Sequence, residues 1–223
     1  MIGQRFKSNS CNEFTVLKQV GRTGWTPLYE IEFDEVNSVK YRTTTRKDSI
    51  LDGRVKNPFY PSLYGIGYLG NANSQNEAYD RWRHMLGRCY DQNDPKYATY
   101  GGQGVTVCDS WLCFENYLAD TVAIEGYDKD NFKNLVLDKD IKIKGNKIYS
   151  PETCIFVTAS ENSAEMNNRT NPRFLAFSPA GEVFESNNQR EFARNYNLTH
   201  VGINDVLLGR QKTHRGWTFK YAI

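Results

Sequence analysis

Residues 135–169 read LVLDKDIKIKGNKIYSPETCIFVTASENSAEMNNR, and their reading decides the fold. Leu135 to Ile143 is rich in branched apolar side chains and predicts a strand. Gly145-Asn146 supplies a tight turn, and Ile155-Phe156-Val157 predicts a second short strand. Thr158 or Ser160 then caps a helix, because a side-chain oxygen accepts from a first-turn N–H that has no helical partner. Asp138 and Asp140 flank Lys139 at the end of the first strand, and Asn162 stands in the first turn of the helix. Carboxylates on a strand facing an amide on a packed helix form an oxygen-rich site suited to one hard divalent cation. A hairpin and helix with solvated charges gives the same pattern without a metal.

Three segments, Leu137-Asp138-Lys139-Asp140-Ile141, Tyr149-Ser150-Pro151-Glu152-Thr153-Cys154 and Glu161-Asn162, resemble the HNH (ββα-metal) nuclease pattern. In that family an Asp-His pair precedes a loop ending Tyr-x-Pro-x-Asn, a strand, and a helix bearing the last Asn or His. Here Lys139 stands at the place of the histidine and Thr153 at that of the middle asparagine. The resemblance implies that Asp138 and Asn162 hold a divalent cation, Mg²⁺ or else Mn²⁺. Asp140 is then a second ligand or a group that orients Lys139. A lysine starts near 10.4, against about 6.5 for histidine, and flanking carboxylates favour its charged form further. Lys139 is therefore expected as a fixed positive charge against the phosphate and not as the base. Three proton acceptors stay open: His84, Tyr149, or no side chain, the cation itself activating water. His84 is the one histidine ahead of the C-terminal module.

The composition, 39% hydrophobic and 24% charged over 223 residues, is that of an ordinary globular chain of one large or two to three small domains. A net charge of +2 divides unevenly, into +3 for residues 1–70, −4 for 71–170 and +3 for 171–223. Basic flanks around an acidic middle fit a polyanion gripped on both sides of metal-holding carboxylates. Cys89, Cys108, Cys113 and Cys154 form no C-x-x-C pair, so buried thiols are expected and a structural zinc is not. No apolar run reads as a signal peptide or a membrane span, which makes a reducing cytoplasmic compartment the expectation.

Residues 1–56 read as short strands. Glu13–Val20 is one; Tyr29, Ile31 and Phe33 alternate with charged neighbours in a second; Val39–Thr45 is a third. A small half-open barrel is the simplest arrangement. Arg42, Arg46, Lys47, Arg54 and Lys56 form either a phosphate-contacting face or a solvated one. Gly3-Gln4-Arg5-Phe6 through Gly65-Ile66-Gly67-Tyr68 resembles the leader of many phage-encoded HNH-type proteins. A helix is expected over 74–90, capped by Ser74, with Ala78, Trp82, Met85, Leu86 and Cys89 inward and Arg81, His84 and Arg88 on the other side. A further helix starts at Asp109 or Ser110 and carries Trp111, Phe114, Tyr117 and Leu118. The spacing of aromatics, glycines and cysteines from Trp82 to Tyr117 resembles the scaffold that precedes the HNH-like core in phage endonucleases.

Residues 171–223 predict a hairpin around Pro179-Ala180-Gly181, a helix capped by Ser186 or Asn187, a break at Asn197-Leu198, and a helix capped by Thr199. The order Pro179-x-Gly181, Ser186, Ala193, Leu198, Ile203, Leu208-x-Arg210, His214-Arg215-Gly216-Trp217 resembles the nuclease-associated modular domain, a sequence-reading helix-turn-helix. By that resemblance Thr199, His200, Asn204, Arg210 and Lys212 meet base edges and phosphates.

The expected fold is α+β in three modules. Residues 1–70 form a small β-barrel-like domain with an aromatic connector, 71–170 the ββα-metal core on a helical platform, and 171–223 the helix-turn-helix module with short strands. The implied function is a metal-dependent, site-specific double-stranded DNA endonuclease, phage-encoded and homing-endonuclease-like, at work in a bacterial host's cytoplasm. Neither a membrane nor a small-molecule cofactor is expected, and the oligomeric state stays open. Two alternatives remain: a sequence-specific DNA-binding protein with a degenerate, inactive core, and an HNH fold turned to structural or protein-binding work.

Overall fold

The computed structural model describes residues 1–222, the side chains of residues 168 and 169 excepted; Ile223, the end of the expected third module, lies outside the described residues. The chain divides into two compact units, Met1–Phe156 and Val157–Ile223.

The first unit opens with β1 (Arg5–Lys7), β2 (Glu13–Thr23), β3 (Thr26–Phe33) and β4 (Arg42–Arg46), an antiparallel sheet in chain order. Alternation buries one face: Phe14 pairs with Phe33 and Val16 with Ile31 across β2 and β3. Ile50 of α1 (Lys47–Leu51) and Val55 close that core. The opposite face is charged, with Lys18–Glu30 at 3.2 Å and Arg42–Glu32 at 2.5 Å. The expected barrel does not form, since β1 and β4 stay as the sheet's two edges. Four strands, one of three residues, are too few to close, and α1 covers the core instead.

α2 (Glu77–Tyr90) begins at Asn76, whose side chain accepts from the Ala78 N–H, two residues after the Ser74 cap expected from sequence. Its stripe of Ala78, Trp82, Met85, Leu86 and Cys89 is buried as the 3.6-residue period requires. β5 (Thr106–Val107) follows. The next expected helix is split into a 3-10 turn at Asp109–Leu112 and α3 (Phe114–Thr121), with Trp111, Phe114 and Tyr117 against α2. The Trp82 indole N–H donates to the Trp111 carbonyl at 2.6 Å, which locks the two segments together. β6 (Leu135–Asp138), β7 (Ile148–Tyr149) and β8 (Ile155–Thr158) complete the frame; β7 runs parallel to β5, and β6 pairs with β8.

β8 leads into the second unit and α4 (Ala159–Thr170). There Thr158 and Glu161 form a reciprocal capping box, satisfying two N–H groups at the helix start. β9 (Phe174–Phe177), β10 (Val183–Ser186) and β11 (Thr218–Tyr221) make an antiparallel sheet in the order β10-β9-β11. α5 (Gln189–Asn195) is capped by Asn188, one or two residues past the expected Ser186 or Asn187. α6 (His200–Leu207) is capped by Thr199. Phe174, Phe192, Ile203 and Phe219 form the core between sheet and helices. No helix among the described residues is long and apolar enough to cross a membrane.

Candidate functional site

β6 ends because Asp138 ends it. Its Oδ1 accepts the backbone N–H groups of Asp140 at 2.6 Å and Ile141 at 2.8 Å, so the chain turns off the sheet five residues before the expected stop at Ile143. The inward alternation of Leu135 and Leu137 carries on to Lys139, which is only 5% exposed. Its ammonium donates to Asp140 Oδ1 at 2.9 Å and to the Asn146 carbonyl at 2.8 Å. Asn146 in turn donates to the carbonyls of Lys139 and Ile148, at 3.0 and 2.6 Å, and so fastens the whole loop. Thr153, at the place of the family's asparagine, donates to the Ile148 carbonyl at 2.8 Å and holds the turn ahead of β8.

Behind Lys139 lies an aromatic box. The ammonium sits 6.0 Å from the Tyr100 ring and 5.9 Å from the Tyr149 ring, and the Arg88 guanidinium sits 5.0 and 5.1 Å from the same two rings. Gly101 lets Tyr100 come this close to α2, since a Cβ there would collide with the Cys89 carbonyl. Tyr149 is 2% exposed, and burial pushes its phenol well above the ordinary range. A phenol held neutral in this way is poorly placed to accept a proton. His84, the remaining side-chain candidate, is exposed on α2 with Nε2 3.2 Å from the Arg83 guanidinium. It lines a depression with Arg88, Asp94, Pro95 and Lys96. Arg88 thus joins that depression to the box around Lys139. The sequence reading placed Arg88 on the polar side of α2 but gave it no role, and took Asn146 for a turn residue only.

Arg81, two turns before Arg88, donates to the carbonyls of Leu135 and Phe132 and lies 4.6 Å from the Phe132 ring. It ties α2 to the start of β6, which fixes where Asp138 emerges. Burial lowers its pKa from the ordinary arginine value.

Asp138 is half-buried at the end of β6 in the first unit; Asn162 is half-buried in the first turn of α4 in the second. Both offer the oxygen donors that a hard cation prefers. Among the described residues no three His, Cys, Asp or Glu side chains group to hold a metal.

In the sheet of the first unit, Arg42 pairs with Glu32 and Arg46 with Asp48 at 2.9 Å, while Lys47 is exposed at the start of α1. In the second unit the Thr199 hydroxyl accepts from the Gly202 N–H at 3.2 Å and lies 3.3 Å from His214 Nε2. His200 and Lys212 are exposed, Asn204 is half-buried, and Arg210 pairs with Asp205 at 3.3 Å.

No family model matches the chain, and no curated protein matches it. Among solved structures it is similar to one described as "DNA binding and cleavage by the HNH homing endonuclease I-HmuI". Identity is 14% over 99% of this chain and 93% of that one, with a TM-score of 0.28. A likeness that loose assigns no residue a role.

Proposed function

We propose that the protein acts on double-stranded DNA as an HNH-type endonuclease, hydrolysing phosphodiester bonds at a specific site with one divalent cation, Mg²⁺ or Mn²⁺. The observation that carries this reading is the state of Asp138. One of its oxygens, Oδ1, is spent on ending β6, and among the described residues Oδ2 has no partner, on a half-buried carboxylate whose strand Arg81 anchors. Asn162 is the second donor by its place in the motif. Such a cation, when bound, polarises the scissile phosphate and acidifies water. Lys139 keeps the Asp138–Ile148 loop in one shape, donating inward to Asp140 and Asn146. Neither it nor the neutral Tyr149 is disposed to take the proton, which leaves His84 or no side chain. Recognition falls to the N-terminal sheet and to α5 and α6, read as a helix-turn-helix with α6 toward the major groove.

The inward, ion-paired lysine at the histidine position also favours a second reading, a site-specific DNA-binding protein with an inactive core. Incubating the purified protein with supercoiled plasmid and source genomic DNA, with Mg²⁺ or Mn²⁺, separates the two. Divalent-dependent breaks that map to a fixed site support the endonuclease. Tight duplex binding without breaks in either metal selects the second reading, and absence of both overturns the two together.

A further inference from the structure

The hairpin of β2 and β3 outruns the rest of its sheet. β1 reaches only as far as Thr15 on β2, and β4 ends opposite Leu28 on β3. Past those points two strands continue alone to a two-residue loop, Gly24-Trp25, between the paired Thr23 and Thr26. Gly24, at φ 57°, supplies the left-handed conformation that such a loop needs at its first position. Residues 18–25 are all exposed. Trp25, at the tip, is 95% exposed, whereas Trp82 and Trp111 are 1% and 0%. An indole standing alone in water contributes nothing to this fold. Tryptophan is enriched among the few side chains that dominate the energy of interfaces.

What the arm meets is narrowed by its charge and its edges. Residues 17–28, LKQVGRTGWTPL, hold Lys18 and Arg22 and no carboxylate. Lys18 pairs with Glu30, but among the described residues Arg22 has no ion-pair partner. Arg46, at the end of β4, reaches Thr26 at 3.4 Å while paired with Asp48, so the unpaired charge on the arm is that of Arg22. Addition of a partner strand is disfavoured on both edges. β2 carries register shifts between Val16 and Lys18 and between Gln19 and Gly21, and Pro27 removes a donor from β3. Recognition must then run through side chains and charge. A two-stranded ribbon about 5 Å between strands fits the major groove, about 12 Å wide.

We propose that this arm reads duplex DNA: the ribbon enters the major groove, Trp25 packs on exposed base edges, and Arg22 neutralises a neighbouring phosphate. The inference rests on the DNA-binding reading above and adds to it a contact beyond Arg42, Arg46 and Lys47. The experiment uses the full chain and a random-sequence duplex, with affinity measured across a salt series. Trp25→Ala should weaken binding about 5- to 100-fold, and Trp25→Phe should recover most of the loss. Arg22→Ala should lower the slope of log K against log salt by about one. Acrylamide quenching of tryptophan emission should fall when duplex is added to the wild type and change little in Trp25→Phe. Both side chains are solvent-exposed, so the variants keep the fold. If the wild type binds duplex and Trp25→Ala binds equally well with an unchanged quenching response, the arm makes no DNA contact and a protein partner becomes the occupant. If the wild type binds no duplex, the DNA-binding reading fails and takes this inference with it.

Discussion

Lys139 Nζ lies 2.9 Å from Asp140 Oδ1, although the two residues are consecutive. In an extended strand consecutive side chains point to opposite faces and could not meet. They meet here because Asp138 has already turned the backbone off β6. The lysine's first duty is thus to the shape of a loop. Lys139→Met keeps the apolar stem and deletes the donor to Asp140 and Asn146. Loss of a buried, charge-assisted hydrogen bond costs about 1.5–3 kcal/mol, and urea denaturation should show a drop of that order. An unchanged midpoint, with cleavage alone abolished, would instead make the lysine a participant in the chemistry.

Asp138 combines a structural and a ligating task, and two substitutions separate them. Asp138→Asn keeps an oxygen that accepts from Asp140 and Ile141 but removes the charge that attracts a cation. It should abolish divalent-dependent cleavage while duplex affinity and stability stay close to wild type. Asp138→Ala deletes the acceptor as well, and should lose a further 1–3 kcal/mol or thereabouts, about the cost of unpartnered backbone donors. Isothermal titration with Mn²⁺ gives a readout independent of cleavage: heat of binding lost in Asp138→Asn. Equal Mn²⁺ binding by wild type and variant would remove Asp138 from the metal site.

Much of this was legible in the sequence where apolar residues repeat with a clear period. Tyr29, Ile31 and Phe33 on β3, and Trp82, Met85, Leu86 and Cys89 on α2, are buried as their spacing requires. Reading failed where a side chain's polar bonds override pattern. Asp138 stops a strand that branched residues would continue to Ile143, and Asn188 caps α5 ahead of two other willing residues. Lys139 follows the period-two rule of Leu135 and Leu137 into the interior, whereas its charge made it read as a group facing the phosphate. The arm was missed because Gly21 and Gly24 look like strand ends, whereas Gly21 is paired with Leu28 within the ribbon. The half-open barrel expected of residues 1–56 is an open four-stranded sheet covered by α1, a tertiary outcome that no local pattern encodes.

The buried thiols give a pH dependence with a definite sign. Burial pushes Cys89 and Cys154 up to about 11, from an ordinary value of 9.0. Between those values the unfolded chain has released protons that the folded chain still holds. Their contribution is therefore fully present below the unfolded value and is lost as pH rises through the folded one. Denaturant midpoints should fall from pH 9 to 11, and Cys154→Ala, measured against its own value at pH 8, should fall less steeply. A parallel fall in both proteins would show that Cys154 titrates alike folded and unfolded.

Recognition by α6 is best tested at Asn204 and not at Thr199. The Thr199 hydroxyl caps the helix through Gly202 and lies against His214, so Thr199→Ala should cost about 1 kcal/mol of stability whatever the DNA contact. Asn204 is half-buried on α6, and its side chain is a suitable bidentate partner for an adenine edge. Arg210 is already paired with Asp205 at 3.3 Å, so it can contribute to a phosphate only by leaving that carboxylate. Asn204→Ala should leave the denaturation midpoint nearly unchanged and cost about 1–3 kcal/mol of binding at one base pair. Selection of bound duplexes from a randomised pool checks this directly, because wild type and variant should differ in preference at a single position. Equal preferences throughout, with wild-type affinity, would mean that α6 reads no base through Asn204. A uniform loss at every position would make the residue a backbone contact instead.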